Sequence, residues 1–122
     1  RMLTAPQPLS PGNNEKVMPL VKRRLRFEWK MSADADEYEV EIFQRIAGTE
    51  KSMSIFSSKE NYIEITNPAV FRPGNYSWVV RSKKTSGKKV TGFAESEKYF
   101  FEVREPDILP PPVVKKPEII FY

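Results

Sequence analysis

The chain contains no cysteine and no histidine among its 122 residues. The first absence removes disulfides, thiolate nucleophiles and sulfur ligands for zinc or iron. The second removes the commonest general base and the commonest metal-ligating nitrogen. Lack of cysteine does not by itself fix the cellular compartment. Glycine is scarce, with five residues standing singly as turn punctuation, so no glycine-rich phosphate cradle exists. No apolar run is long enough to span a bilayer, and no charged-then-apolar start marks a secretory leader. The sequence opens at Arg1, which reads as the start of an excised piece, so the missing leader excludes nothing. The net charge of +4 is too mild and too dispersed for a nucleic-acid binder, and no such partner is expected.

What is present is an ordinary balance for one folded core, with 39% hydrophobic and 30% charged residues. The eleven prolines are unevenly placed. Pro6, Pro8 and Pro11 sit at the start, and Pro106, Pro110, Pro111, Pro112 and Pro117 crowd the end. Proline cannot donate to a ladder, so these flanks read as an edge strand and a linker. The expected division is a sandwich over residues 1–104 and an extended Pro-rich tail over residues 105–122. The last five residues, Glu118 to Tyr122, turn apolar again, as at the opening of a further strand or domain.

Between the flanks, short runs alternate with period two. Leu25, Phe27 and Trp29 form one set; Tyr38, Val40 and Ile42 another; Met53 and Ile55 a third. Ile63 and Ile65, then Tyr76, Trp78 and Val80, then Tyr99, Phe101 and Val103 complete the series. With a proline-flanked strand near Thr4 to Leu9, this predicts seven strands of antiparallel sheet, wet on one face, and almost no helix. The densest signal is Phe71-Arg72-Pro73-Gly74-Asn75-Tyr76-Ser77-Trp78-Val79-Val80, where a Pro-Gly turn feeds a strand with two aromatics on one face.

These residues carry a family resemblance. Leu9-Ser10-Pro11, Phe27-x-Trp29 and Ala35-x-x-Tyr38-x-Val40-x-Ile42 resemble the front half of fibronectin type III-like domains. Phe71-x-Pro73-Gly74-x-Tyr76-x-Trp78-x-Val80-Arg81, Ser96 and Phe101-x-Val103 are similar to the back half. The likeness covers roughly residues 6 to 104 and implies a seven-stranded β-sandwich. The dialect of the second motif is similar to modules of multidomain bacterial surface and periplasmic proteins, which implies an extracytoplasmic location. The sequence departs from the pattern in two places. No proline stands in the loop after Trp29, and Met18 to Arg24 is a longer, more basic approach. The resemblance further implies that Trp29 and Trp78 come from opposite sheets, and that the Tyr76 hydroxyl ties back to nearby backbone.

Candidate chemistry is thin. Glu37, Glu39 and Glu41 project from one face of a strand, as solvated residues do, and Glu39 or Glu41 is expected to meet Arg81 or Lys83 on the neighbouring strand. Arg24 and Arg26 are expected opposite Glu64. Asp34, Asp36 and Glu37 supply too few oxygens for a calcium loop, so neither metal nor cofactor is expected. The sharpest charge feature is Arg81-Ser82-Lys83-Lys84-Thr85-Ser86-Gly87-Lys88-Lys89. Arg81, Lys83, Lys84, Lys88 and Lys89 are expected at the tip of the last hairpin, as a candidate site for an anion or polysaccharide. The run holds no aromatic to stack a sugar or base, which favours a solvated tip. Val79 and Phe100, both expected to point outward, form a candidate docking patch. The expected role is a non-enzymatic spacer or interaction module, contacting neighbouring domains or another envelope protein. A carbohydrate- or anion-binding module is the alternative.

Overall fold

Strands form where alternation places aromatic and β-branched side chains along one face of an extended backbone. The computed structural model describes residues 3–19, 24–67 and 70–104. Nine strands are present among them: β1 (Gln7–Ser10), β2 (Glu15–Val17), β3 (Leu25–Lys30), β4 (Glu37–Ile46), β5 (Thr49–Ser58), β6 (Tyr62–Ile65), β7 (Gly74–Ser86), β8 (Lys89–Glu95) and β9 (Tyr99–Val103). The expected linker over 105–122, and the basic residues Lys22 and Arg23, lie outside the described residues.

The strands make two sheets, one ordered β1-β3-β6 and the other β2-β9-β7-β4-β5, with β8 also paired to β7. This is an all-β architecture of two sheets, with β3 beside β6 and β4 beside β7. Two of the nine, β2 and β8, lie outside the seven strands expected from the sequence. Pro11 has no N–H to continue a ladder, and the chain turns through Gly12 and Asn14 before β2 joins the other sheet. That β2–β9 pair is parallel, which corrects the all-antiparallel expectation. The final strand divides at Ser96: β8 flanks the upper part of β7 and β9 the lower part. At the break, Ser96 Oγ accepts the Val80 N–H at 3.0 Å and donates to Glu97 O at 2.8 Å.

A second correction concerns β5. The β4–β5 register shifts between Ile42 and Phe43, leaving Met53 as an extra residue in the ladder. A bulge re-aims the side chains that follow it, so Met53 and Ile55 do not share the inner face as expected. Met53 and Phe56 pack against the core while Ile55 is exposed. The hairpin before it closes on Ala47 and Gly48, with φ of 52° and 79°. Two successive positive φ values suit the right-handed twist of the flanking strands.

The core lies between the sheets. Phe27 and Trp29 face Tyr38, Val40, Ile42, Tyr76, Trp78, Val80 and Phe101, all fully buried or nearly so. Trp29 and Trp78 do come from opposite sheets. Phe27 meets Trp78 edge-on at 5.1 Å between ring centroids, and Trp29 meets Tyr38 edge-on at 5.5 Å. Each such ring buries roughly 150–250 Å². Trp78 Nε1 donates to Pro11 O at 3.1 Å, but Trp29 Nε1 and Ser32 Oγ are buried without a hydrogen-bond partner among the described residues. The Tyr76 hydroxyl donates to Arg72 O at 2.7 Å, tying the strand back to its entering turn. Burial raises the pKa of that phenol above its ordinary value.

Thr4 and Arg104 sit at opposite poles. Thr4 O accepts from Ser82 Oγ at 2.8 Å, high on β7, while Arg104 N donates to Val17 O beside the other end. Val103 pairs with Gly74, the first residue of β7. Ser82 lies eight residues further along, about 26 Å at strand rise.

Candidate functional site

The basic run does not form one tip. β7 extends through Ser86, so Arg81, Lys83 and Lys84 stand within the strand and only the stretch around Gly87 and Lys88 makes the turn. Polar residues can extend a hairpin because ladder hydrogen bonds do not require an apolar face. Arg81 and Lys83 share the outer face with Glu37 and Glu39, their register partners on β4. Arg81 donates to Glu39 Oε2 at 2.8 Å and to Glu41 Oε1 at 2.7 Å, and meets Glu95 Oε2 at 3.4 Å. Lys83 Nζ lies 2.6 Å from Glu39 Oε1. The expected cross-strand pairs are therefore formed, and they consume two of the five candidate anion-binding residues.

The electrostatics follow from that geometry. Burial works to lower the Arg81 pKa, but Glu41, Glu95 and Glu39 outweigh it and push it above its already high value. Burial likewise works to raise Glu41, yet the Ser52 hydroxyl and Arg81 hold its carboxyl below the ordinary range. Glu50 behaves in the same way: burial is outweighed by hydrogen bonds from Lys98 and Ser77. Lys98 reaches across the outer face to Glu50 with its ammonium 4.3 Å from the Phe43 ring centroid. These groups are charged in order to hold one another.

Lys84, Lys88 and Lys89 are exposed. Lys84 Nζ lies 3.5 Å from Asp34 O, and the other two make no ion pair among the described residues. The backbone beneath them is fixed from the loop before β4. Asp36 N donates to Lys83 O at 2.8 Å, and Asp36 Oδ2 accepts the Thr85 N–H at 2.7 Å. The adjacent depression, about 610 Å³, sets Asp36 and Glu37 against Lys59 and Lys88. Its charges are mixed, so it makes no focused anion site. No group of three acidic side chains is placed to hold a metal among the described residues. Asp36, one of the three acidic residues singled out from the sequence, serves the hairpin backbone.

The expected docking patch requires correction. Val79 lies on the outer face but is only 2% exposed, because Arg81 and Glu41 stand beside it on β7 and β4 and long charged side chains cover it. Phe100 pairs with Ser77, not with Val79, and its half-buried ring carries the Arg45 guanidinium 4.9 Å from its centroid. The two residues do not form a shared apolar surface. Sequence reasoning missed the apolar residues that are exposed here: Phe93 and Val90 on β8, and Ile55 on β5. The alternation around Gly92 is broken by a register shift, which hid β8 from a period-two reading. On the smaller sheet Arg24 reaches Glu64 at 3.5 Å, as expected, while Arg26 lies over the Tyr62 ring at 4.0 Å.

No family model matches this sequence, and no curated protein matches it. Among solved structures, one titled "Crystal Structure of FN3tt" is similar at 18% identity, covering 80% of this chain and 96% of that chain, with a TM-score of 0.41. The strand order set out above is what defines the fold here.

Proposed function

We propose that this sandwich is a non-catalytic spacer or interaction module of a larger extracytoplasmic bacterial protein. The observation that carries the reading is the placement of Thr4 and Arg104 at opposite poles, so the chain enters at one end and leaves at the other. Such geometry transmits length along a series of modules. The outer sheet face supports the same reading, since its charges are paired internally. A second reading, binding of an anionic polysaccharide, is favoured only by the exposed Lys84, Lys88 and Lys89. Three lysines on one turn neutralise few charges, and a Debye length of about 8 Å at physiological salt weakens their reach.

Heparin retention separates the two readings. The spacer reading expects elution well below physiological salt, with little change when Lys84, Lys88 and Lys89 become Ser. Retention above that salt, abolished by the same three changes, would replace the spacer with a polysaccharide-binding module.

A further inference from the structure

We propose that a depression on the outer face of the larger sheet, at the end of β7 nearest Arg104, binds an acidic sugar, a hydroxylated ring bearing a carboxylate. The inference goes beyond the spacer reading and does not depend on it. The strand register sets one residue from each of four neighbouring strands in a single transverse row. Lys16 on β2 pairs with Glu102 on β9, Glu102 with Asn75 on β7, and Asn75 with Arg45 on β4. Their chain neighbours Val17, Val103 and Tyr76 meet the core, so the row faces outward. It reads cation, carboxylate, amide, cation over three strand spacings, about 14 Å.

Both end cations lack the ion pair that their position offers. Glu102, opposite Lys16, meets Arg104 Nε at 3.2 Å instead, and Lys16 makes no ion pair among the described residues. Glu50, opposite Arg45, is held by Lys98 and by the Ser77 hydroxyl, and Arg45 acts on it only at longer range. The Arg45 guanidinium lies over the Phe100 ring at 4.9 Å, a seat that orients its charge without neutralising it. Higher on the same face the cations Arg81 and Lys83 are both closed onto carboxylates.

The row lines a depression of about 410 Å³ that Asn14 and Phe100 also border, a size common among small-ligand clefts. One wall is fixed by backbone contacts: Asn14 N donates to Phe100 O at 2.6 Å, and Phe100 N donates to Asn13 Oδ1 at 3.0 Å. The lining selects the ligand. A guanidinium fork takes a carboxylate by two parallel bonds. The Asn14 and Asn75 amides both donate and accept, as sugar hydroxyls require. Glu102, between the cations, accepts from a hydroxyl and repels a compact sulfate or phosphate. A second acid group further along an oligosaccharide reaches Lys16. An acidic peptide offers carboxylates too, but an extended peptide docks by adding to a free sheet edge. Here β9 and β7 have strands on both sides.

Titrating the isotope-labelled 122-residue chain with trigalacturonate, in low-salt buffer near neutral pH, tests the proposal through amide chemical shifts. Saturable shifts are expected at Asn14, Lys16, Asn75 and Glu102, and none at Lys88. Arg45→Gln and Lys16→Gln are each expected to weaken binding about five- to tenfold, the worth of one charge-assisted hydrogen bond. Both side chains are exposed, so each variant keeps the wild-type spectrum away from the site. Maltotriose has the hydroxyls without the acid, and tetraglutamate has the acid without the ring. Each is expected to bind about tenfold more weakly than trigalacturonate or worse. Shifts that never saturate, variants that bind as tightly as wild type, or either control binding as well as trigalacturonate would overturn the proposal. Such a failure leaves the opposed poles, and hence the spacer reading, standing. Tight heparin retention lost with Lys84, Lys88 and Lys89 would sink the spacer reading without touching the Arg45 site.

Discussion

The two faces of β7 are both buried, and by different means. Tyr76, Trp78 and Val80 point into the sandwich and are covered by apolar and aromatic groups from both sheets. Ser77 and Val79 point away from it and are almost equally inaccessible. Their cover is the stems and paired heads of Arg81, Glu41, Glu50 and Lys98, the last two meeting over Ser77. On the inner face, removal from water is itself the driving force. On the outer face, long charged side chains lie flat because each finds a partner there, and their methylenes shelter what lies beneath. A solvated-face pattern in sequence thus became a closed surface in structure.

The largest effect should come from the inner face. Trp78→Ala is expected to destabilise the domain by about 3–5 kcal/mol, the usual loss for deleting a buried aromatic. It also orphans the Pro11 carbonyl that the indole serves. Thermal unfolding that shifts by only a few degrees would mean that the strand does not face the core.

Acid probes the outer face selectively. Glu41 and Glu50 have folded-state pKa values below the ordinary 4.5, so their ionised forms stabilise the fold. That contribution is fully present above about pH 4.5 and is lost as pH falls through the lowered folded values. Urea midpoints should be flat near neutrality and decline below that pH. A midpoint unchanged down to about pH 3 would show that the carboxylates are not coupled to folding.

Ser32 offers a smaller effect of opposite sign. Its buried Oγ has no partner among the described residues, while its backbone N–H is served by the Tyr38 hydroxyl at 2.8 Å. Ser32→Ala removes an unsatisfied group and keeps that bond, so a gain of roughly 0.5–1 kcal/mol is expected. A loss in calorimetric stability would place a hydrogen-bond partner at that hydroxyl.

Much of the inner face was legible in the sequence, because aromatic alternation at Phe27, Trp29, Tyr76 and Trp78 has one sensible burial pattern. The cross-strand pairs of Arg81 with Glu39 and Glu41 were legible as well, once β4 was placed beside β7. The bulge at Met53 was not, since one extra residue leaves local composition unchanged while reversing which side chains face inward. Nor was the length of β7, whose last turns of ladder carry only polar residues. The candidate site failed for that same reason. Five cations close in sequence look alike until the strand shows which of them stand opposite a carboxylate. Alternation gives direction, but it does not reveal whether a long neighbour will cover what points outward, as happened at Val79.

Partners, and not charge density, divide this basic run into a structural half and an idle half. Equilibrium urea denaturation of Arg81→Ala against Lys84→Ala, in one buffer near neutral pH, tests it most directly. Arg81→Ala uncovers Val79 and strands Glu41, and is expected to cost about 1–3 kcal/mol, less than a fully buried pair because the guanidinium keeps some solvent. Lys84→Ala is expected to leave the midpoint where it was. Equal midpoints for the two variants, whether both shifted or both unmoved, would contradict the division.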